Sequence, residues 1–100
     1  MHAFAHFLTG ALLCNALPHL AAGLQGQAFQ TPFATPRGVG ESSALVNVLW
    51  GFFNLLAGLA LLTAFPVQVG WTLAFALVCG GALALGCYLA VHFAKVRRKS

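Results

Sequence analysis

Residues 44–65 read ALVNVLWGFFNLLAGLALLTAF, an apolar run without a single charged side chain. A helix needs about 20 mostly apolar residues to cross the hydrocarbon core of a bilayer, so this run is long enough. Ser42 or Ser43 can cap its first turn, and Glu41 lies near the positive end of the helix dipole. The run therefore predicts a transmembrane helix.

Two further apolar runs, at residues 3–24 and 71–94, have similar length. The first lacks the Lys or Arg that a signal peptide carries at its start, so we expect a retained membrane helix. Hydrophobic residues make up 60% of the chain and charged residues only 6%, against about 25% charged residues in a soluble domain. The sequence predicts one all-α integral membrane domain over residues 1–100, with three transmembrane helices and a basic tail at 95–100.

A 19-residue segment, 25–43, connects the first two predicted helices. Prolines and glycines interrupt it too often for a helix, which predicts a loop. Loops longer than about 12–15 residues are usually functional or disordered. Because this one carries Phe29 and Phe33, we expect it to fold against the helices or to lie among the lipid headgroups.

Basic residues predict the orientation of the chain in the membrane. Positive charge is enriched on the cytoplasmic side, which places the C-terminus and the 25–43 loop inside and the N-terminus outside. No basic patch interleaved with aromatic residues is present, so nucleic acid is not an expected partner, whereas the lipid bilayer is. The basic residues concerned are Arg37, Lys95, Arg97, Arg98 and Lys99.

A polar and small-residue stripe follows one face of the second predicted helix. Asn47, Gly51, Asn54 and Gly58 fall on that face at about 100° per residue. Buried amides need hydrogen-bond partners, and glycines let another backbone approach closely. The stripe is expected to face protein, either as helix packing joined by hydrogen bonds or as a polar path or ligand site.

The third predicted helix has a face of small residues that we expect to contact the second helix or a neighbouring protomer. Two of the three cysteines of the chain lie on this face and are interpreted as small packing residues, as is Cys14. The face comprises Ala76, Cys79, Gly80, Cys87, Ala90 and Ala94.

Polar residues from all three helices and the loop are predicted to gather at the inner end of the bundle. Ionisable residues inside a membrane are functional candidates, so this cluster is the candidate binding site. Its members are Asn15, His19, Arg37, Glu41, Asn47, Asn54 and His92.

Cofactor and metal binding are less favoured. His19 and His92 lie at compatible depths for two axial haem ligands, and His2 and His6 have the i, i+4 spacing of a helical metal pair. Glu41 is the only acidic side chain of the chain, so no pair of carboxylates exists for acid–base catalysis. We expect neither an enzyme nor a cofactor, with haem as the alternative.

Several motifs in the first 60 residues resemble a pattern found in small bacterial integral membrane proteins without an assigned activity. The resemblance implies residence in the bacterial inner membrane and no more. The motifs are Asn15-Ala16-Leu17-Pro18-His19, Thr31-Pro32-Phe33-Ala34 and Asn47-Val48-Leu49-Trp50-Gly51.

Three functions are compatible with these features. The first is a non-enzymatic accessory or structural subunit that packs against a larger membrane complex or against copies of itself. The second is a homo-oligomeric channel or transporter with the asparagines along its path. The third is an inner-leaflet site near His19 for a ligand, a haem or a lipid headgroup.

Overall fold

The computed structural model describes residues 2–99 and contains three long helices: α1 (Ala3–Leu24), α2 (Ala44–Ala64) and α3 (Leu73–Lys99). All three are long and apolar enough to cross a membrane. The long axis of the protein measures 42 Å, which matches the thickness of about 40–45 Å of a bilayer with its headgroups. The predicted all-α, three-helix membrane fold is confirmed.

The helix bounds differ from the prediction mainly in α3. This helix begins at Leu73 rather than at Trp71, because the hydroxyl of Thr72 caps it by accepting a hydrogen bond from the backbone N–H of Phe75 at 3.2 Å. It continues to Lys99, so the predicted helix end at Ala94 was wrong and residues 95–99 of the predicted basic tail belong to the helix. Lysine and arginine are good helix formers, and positive charge is favourable at the C-terminal end of a helix.

Helix α1 is the central element, because both α2 and α3 pack along it. Glycines make the close approach possible at both interfaces. A Cβ atom at Gly81 would collide with the carbonyl oxygen of Phe7, and one at Gly51 would press on Leu20. At Gly58 the side chain of Leu13 fills the corresponding space. Small residues thus bring the helix backbones together, as is usual in membrane proteins.

The small face of α3 does not contact α2, so that part of the prediction was wrong. Cys79 and Cys87 are exposed, and a Cβ atom at Gly80 would meet no atom within 4 Å. The reason is that α3 packs on α1 through the neighbouring face, which contains Gly81 and Val78. Contact of the small face with another protomer stays a prediction.

The loop folds against the helices, which is one of its two expected arrangements. Two short strands, β1 (Phe29–Gln30) and β2 (Glu41–Ser42), pair in antiparallel fashion. The ring of Phe29 lies 5.5 Å from that of His19 on α1 and 4.9 Å from that of Phe93 on α3, measured between centroids. The hairpin therefore covers one end of the bundle, where α1 ends, α2 begins and α3 ends.

The two adjacent glycines of α3 provide a matched test of this packing. Alanine at either position raises helix propensity by up to about 1 kcal/mol. Gly81→Ala also forces α1 and α3 apart, which typically costs about 1–3 kcal/mol. We expect Gly81→Ala to lower the free energy of unfolding in detergent and Gly80→Ala to leave it unchanged or raise it. Equal values for the two variants would contradict the α1–α3 interface.

Candidate functional site

Asn47 joins three parts of the protein through one buried side chain. Its relative exposure is 0%, and its Nδ2 atom donates to the carbonyl oxygens of Phe29, Ser42 and Ser43, each at 3.1 Å. Its Oδ1 atom lies 2.8 Å from Nδ1 of His19. Two amide hydrogens serve three acceptors, so at least one hydrogen is shared. The side chain thereby connects α1, α2 and the hairpin.

This network also determines which nitrogen of His19 carries the proton. The three carbonyl groups around Asn47 can only accept, which identifies the atom facing them as the amide nitrogen. The remaining atom, Oδ1, can only accept as well, so Nδ1 of His19 must be the donor. In the neutral ring Nε2 therefore keeps its lone pair and is available as an acceptor.

A second polar connection lies deeper between α1 and α2. Asn15 donates from Nδ2 to Oδ1 of Asn54 at 3.1 Å, and Asn54 donates to the backbone carbonyl of Trp50 at 2.8 Å. The asparagine stripe of α2 thus faces α1 of the same chain. This arrangement favours helix packing and gives no support to an asparagine-lined channel.

A cleft of about 380 Å³ lies beside α1, between α2 and α3, and the loop covers one end of it. This volume falls at the lower end of the range of about 300–1,000 Å³ typical of small-molecule sites. Its walls are mostly apolar and include Leu8 and Leu12 of α1 and Leu85 and Leu89 of α3. No carboxylate, lysine or arginine side chain lines it, and its two histidines are His19 and His92.

Gln30 lies at the covered end of the cleft, and its side chain is incompletely paired. The residue is only 7% exposed, and its Oε1 atom is buried without a hydrogen-bond partner. A buried polar group left in this condition typically costs about 1–3 kcal/mol. Gln30 also lines the cleft, but its Oε1 atom is closed off from that space.

The sequence alone does not identify Gln30 as a buried residue, because nothing in its local pattern distinguishes it from the neighbouring Gln25 and Gln27. Its burial comes from the pairing of β1 with β2, in which Gln30 is opposite Glu41. That pairing brings together residues eleven positions apart in a loop whose composition predicted no strand.

His92 attaches the loop to α3. Its Nε2 atom lies 2.7 Å from the carbonyl oxygen of Gly38, which can only accept, so Nε2 carries the proton. His19 and His92 line the same cleft, and two axial haem ligands would also have to face one common cavity. Ligation through Nε2 of His92 would break the bond to the loop. A bound haem stays a prediction.

The other candidate residues lie outside the cleft. Arg37 and Glu41 are exposed and do not line it. His2 and His6 are at the opposite end of α1, edge to face with centroids 6.5 Å apart. Within residues 2–99, no group of three or more His, Cys, Asp or Glu side chains is placed to hold a metal ion.

Comparisons with protein-family models, curated proteins and solved structures find no match to this chain. The function must therefore be inferred from the chemistry of the cleft and of the surrounding surfaces.

Replacing Asn47 tests its role in holding the loop. Asn47→Leu removes the partner of His19 and of three carbonyl groups, so we expect the loop to separate from the helices. Trypsin should then cleave after the exposed Arg37 at least several-fold faster than in the wild-type protein, as measured by mass spectrometry of the fragments.

Asn54→Leu is the matched control for this experiment, because it removes a buried asparagine of the same stripe that makes no contact with the loop. It should lower stability without accelerating cleavage after Arg37. Similar cleavage rates in the two variants would contradict a specific role of Asn47.

Proposed function

We propose that the protein is a membrane-embedded binding protein that holds an amphipathic molecule in the cleft between α2 and α3. The observation that carries the proposal is the cleft itself, which has apolar walls and polar residues at its covered end, among them His19, Gln30 and His92. An apolar chain would lie along the leucines, and a polar head would lie under the loop.

The position of the cleft in the bundle supports this proposal. In a chain that crosses the membrane, a gap between two helices opens toward the lipid, so a molecule dissolved in the bilayer can enter sideways. Apolar clefts with a few convergent polar groups are typical of small-molecule sites. The loop is held on both sides, by Asn47 of α2 and His92 of α3, which keeps the polar end covered.

A photoreactive lipid analogue tests the proposal directly. Protein in phosphatidylcholine vesicles is irradiated with hexadecanol that carries a diazirine in its alkyl chain, and the labelled residues are mapped by mass spectrometry. We expect saturable labelling of cleft residues such as Leu12 and Leu89. Ala11→Phe, which fills the cleft, should reduce that labelling at least tenfold.

Ala60→Phe is the matched control, because Ala60 is exposed on α2 and does not line the cleft. It should leave the saturable labelling unchanged. Labelling that is not saturable, or that persists in Ala11→Phe, would overturn the proposal.

A second candidate is the accessory or structural subunit, and the exposed face of α3 favours it. Six small residues lie on that face, and none of them is buried: Ala76, Cys79, Gly80, Cys87, Ala90 and Ala94. Small residues let membrane helices of different chains approach closely. We propose that this face contacts a neighbouring helix, either of a second copy or of a larger complex.

Oxidative cross-linking tests the version with a second copy. In a Cys14→Ser background, copper phenanthroline should yield a disulfide-linked dimer through Cys79 or Cys87, and Gly80→Leu should reduce its yield several-fold. The variant that also lacks Cys79 and Cys87 controls for other cross-links. A protein that stays monomeric in native membranes would exclude this assembly.

For the location, we propose the bacterial inner membrane, with the C-terminus and the loop in the cytoplasm and the N-terminus outside. The contact of His92 with Gly38 supports the orientation, because it puts the loop that contains Arg37 at the same end of the bundle as the basic end of α3. Positive charge from two separate segments thus lies on one side, as expected of the cytoplasmic side.

A further inference from the structure

We infer that the end of the bundle under the loop binds the phosphate group of an anionic phospholipid, through Arg37 of the loop and Lys95 of α3. The site lies outside the cleft, because neither residue lines that space. It therefore adds a second lipid contact to the proposed function and does not depend on what the cleft holds.

The charge of the chain is concentrated at this end of the bundle. The opposite end, residues 2–8 and 62–74, contains no Lys, Arg, Asp or Glu. The chain has a single carboxylate side chain, Glu41, and a formal net charge of +4, so the excess positive charge needs counter-ions from outside the protein. The basic residues all lie in the loop or in the last turns of α3: Arg37, Lys95, Arg97, Arg98 and Lys99.

One hydrogen bond brings a cation of the loop to a cation of α3. Nε2 of His92 donates to the carbonyl oxygen of Gly38 at 2.7 Å, and Arg37 directly precedes Gly38. Lys95 follows His92 by three residues, which places it about one turn farther along α3 and about 60° around it. Two long basic side chains from distant parts of the sequence thus start close to the same contact.

Both cations are available to an external anion. Arg37 and Lys95 are exposed, and within residues 2–99 neither has an ion-pair partner. Val96, the neighbour of Lys95, is only 8% exposed, so this part of α3 is held against the protein. A guanidinium group binds two phosphate oxygens at once, and an ammonium group adds a point charge. The pair is therefore positioned for a phosphate before it binds.

The depth of the pair favours a lipid headgroup over a free anion. Helix α3 has 27 residues and spans about 40 Å, which exceeds the hydrocarbon core of about 30 Å. Its last turn therefore reaches the headgroup region, and lysine side chains near this level extend toward it. Anionic headgroups attract basic residues at this position.

Native mass spectrometry of the protein in mild detergent tests the inference. Titration with dioleoylphosphatidylglycerol or dioleoylphosphatidylcholine gives the dissociation constant of the first bound lipid. The acyl chains are identical, but the choline group balances the phosphate charge in the second lipid. Two basic residues that each contribute about fivefold predict a preference of about 25-fold for phosphatidylglycerol. Equal affinities would overturn the inference.

Substitution of the two cations distinguishes one shared site from diffuse attraction. Arg37→Gln and Lys95→Gln should each lower the preference at least fivefold. The double variant should lose less than the product of the two single losses, because one phosphate needs both cations. Losses that simply multiply would contradict a shared phosphate.

Arg98→Gln is the matched control for these variants. Arg98 is exposed and has the same charge as Arg37, but it lies about 120° around α3 from His92 and two turns from the contact with Gly38. It should lower the preference less than twofold. Equal losses in all three single variants would mean that the lipid responds to the total charge and not to this pair.

His92→Phe tests whether the contact with the loop builds the site. It keeps an aromatic ring beside Tyr88 but removes the donor to Gly38, so Arg37 is no longer held near α3. The preference should fall as far as in Arg37→Gln although both cations remain. An unchanged preference would overturn the assignment to Arg37 and Lys95 as a pair.

Two further measurements separate the site from a soluble anion and from the cleft. Inorganic phosphate at millimolar concentration should not displace phosphatidylglycerol, and displacement would assign the pair to a free anion. Labelling of the cleft by the diazirine probe should be unchanged in Arg37→Gln. Labelling that falls in parallel with the lipid preference would mean that there is no separate site, whereas failure of the labelling in the wild-type protein would refute the proposed function alone.

Discussion

The hydrogen bonds of Asn47 are the constraint on which the arrangement of the polar end depends. The amide of Asn47, in the first turn of α2, donates to two carbonyl groups just before that helix and to one carbonyl group of β1. It also accepts a hydrogen bond from the ring of His19 on α1. In the low-polarity interior of a membrane protein each of these groups is costly to leave unpaired. Satisfying them together determines the position of the hairpin and the protonated nitrogen of His19.

The packing of the helices around α1 produces the cleft. Glycines at both interfaces of α1 let α2 and α3 approach its backbone, with Gly51 and Gly58 on one side and Gly10 and Gly81 on the other. Both α2 and α3 pack on α1 rather than on each other, so a gap remains between them beside α1. The loop closes one end of that gap. The cleft is thus a consequence of making α1 the central helix.

The chemistry of the cleft follows from the demands of the fold. Carbonyl groups at the start of α2 and in the loop need donors, and the asparagine and histidine side chains supply them. The oxygens of Asn47 and Asn54 are used as well, because they accept hydrogen bonds from His19 and Asn15.

The sequence by itself determined the three helices and the face of α2 that is buried. Length and hydropathy are local properties, and the spacing of Asn47, Gly51, Asn54 and Gly58 depends only on the period of a helix. The gathering of His19, Asn47 and His92 at one end followed from their depth along predicted spans. Only the tertiary structure decided that α1 is central, that Gly81 rather than Gly80 packs against it, and that Gln30 is buried. These features depend on the rotation of one helix against another and on strand pairing within a loop, which are set by contacts between residues far apart in the chain.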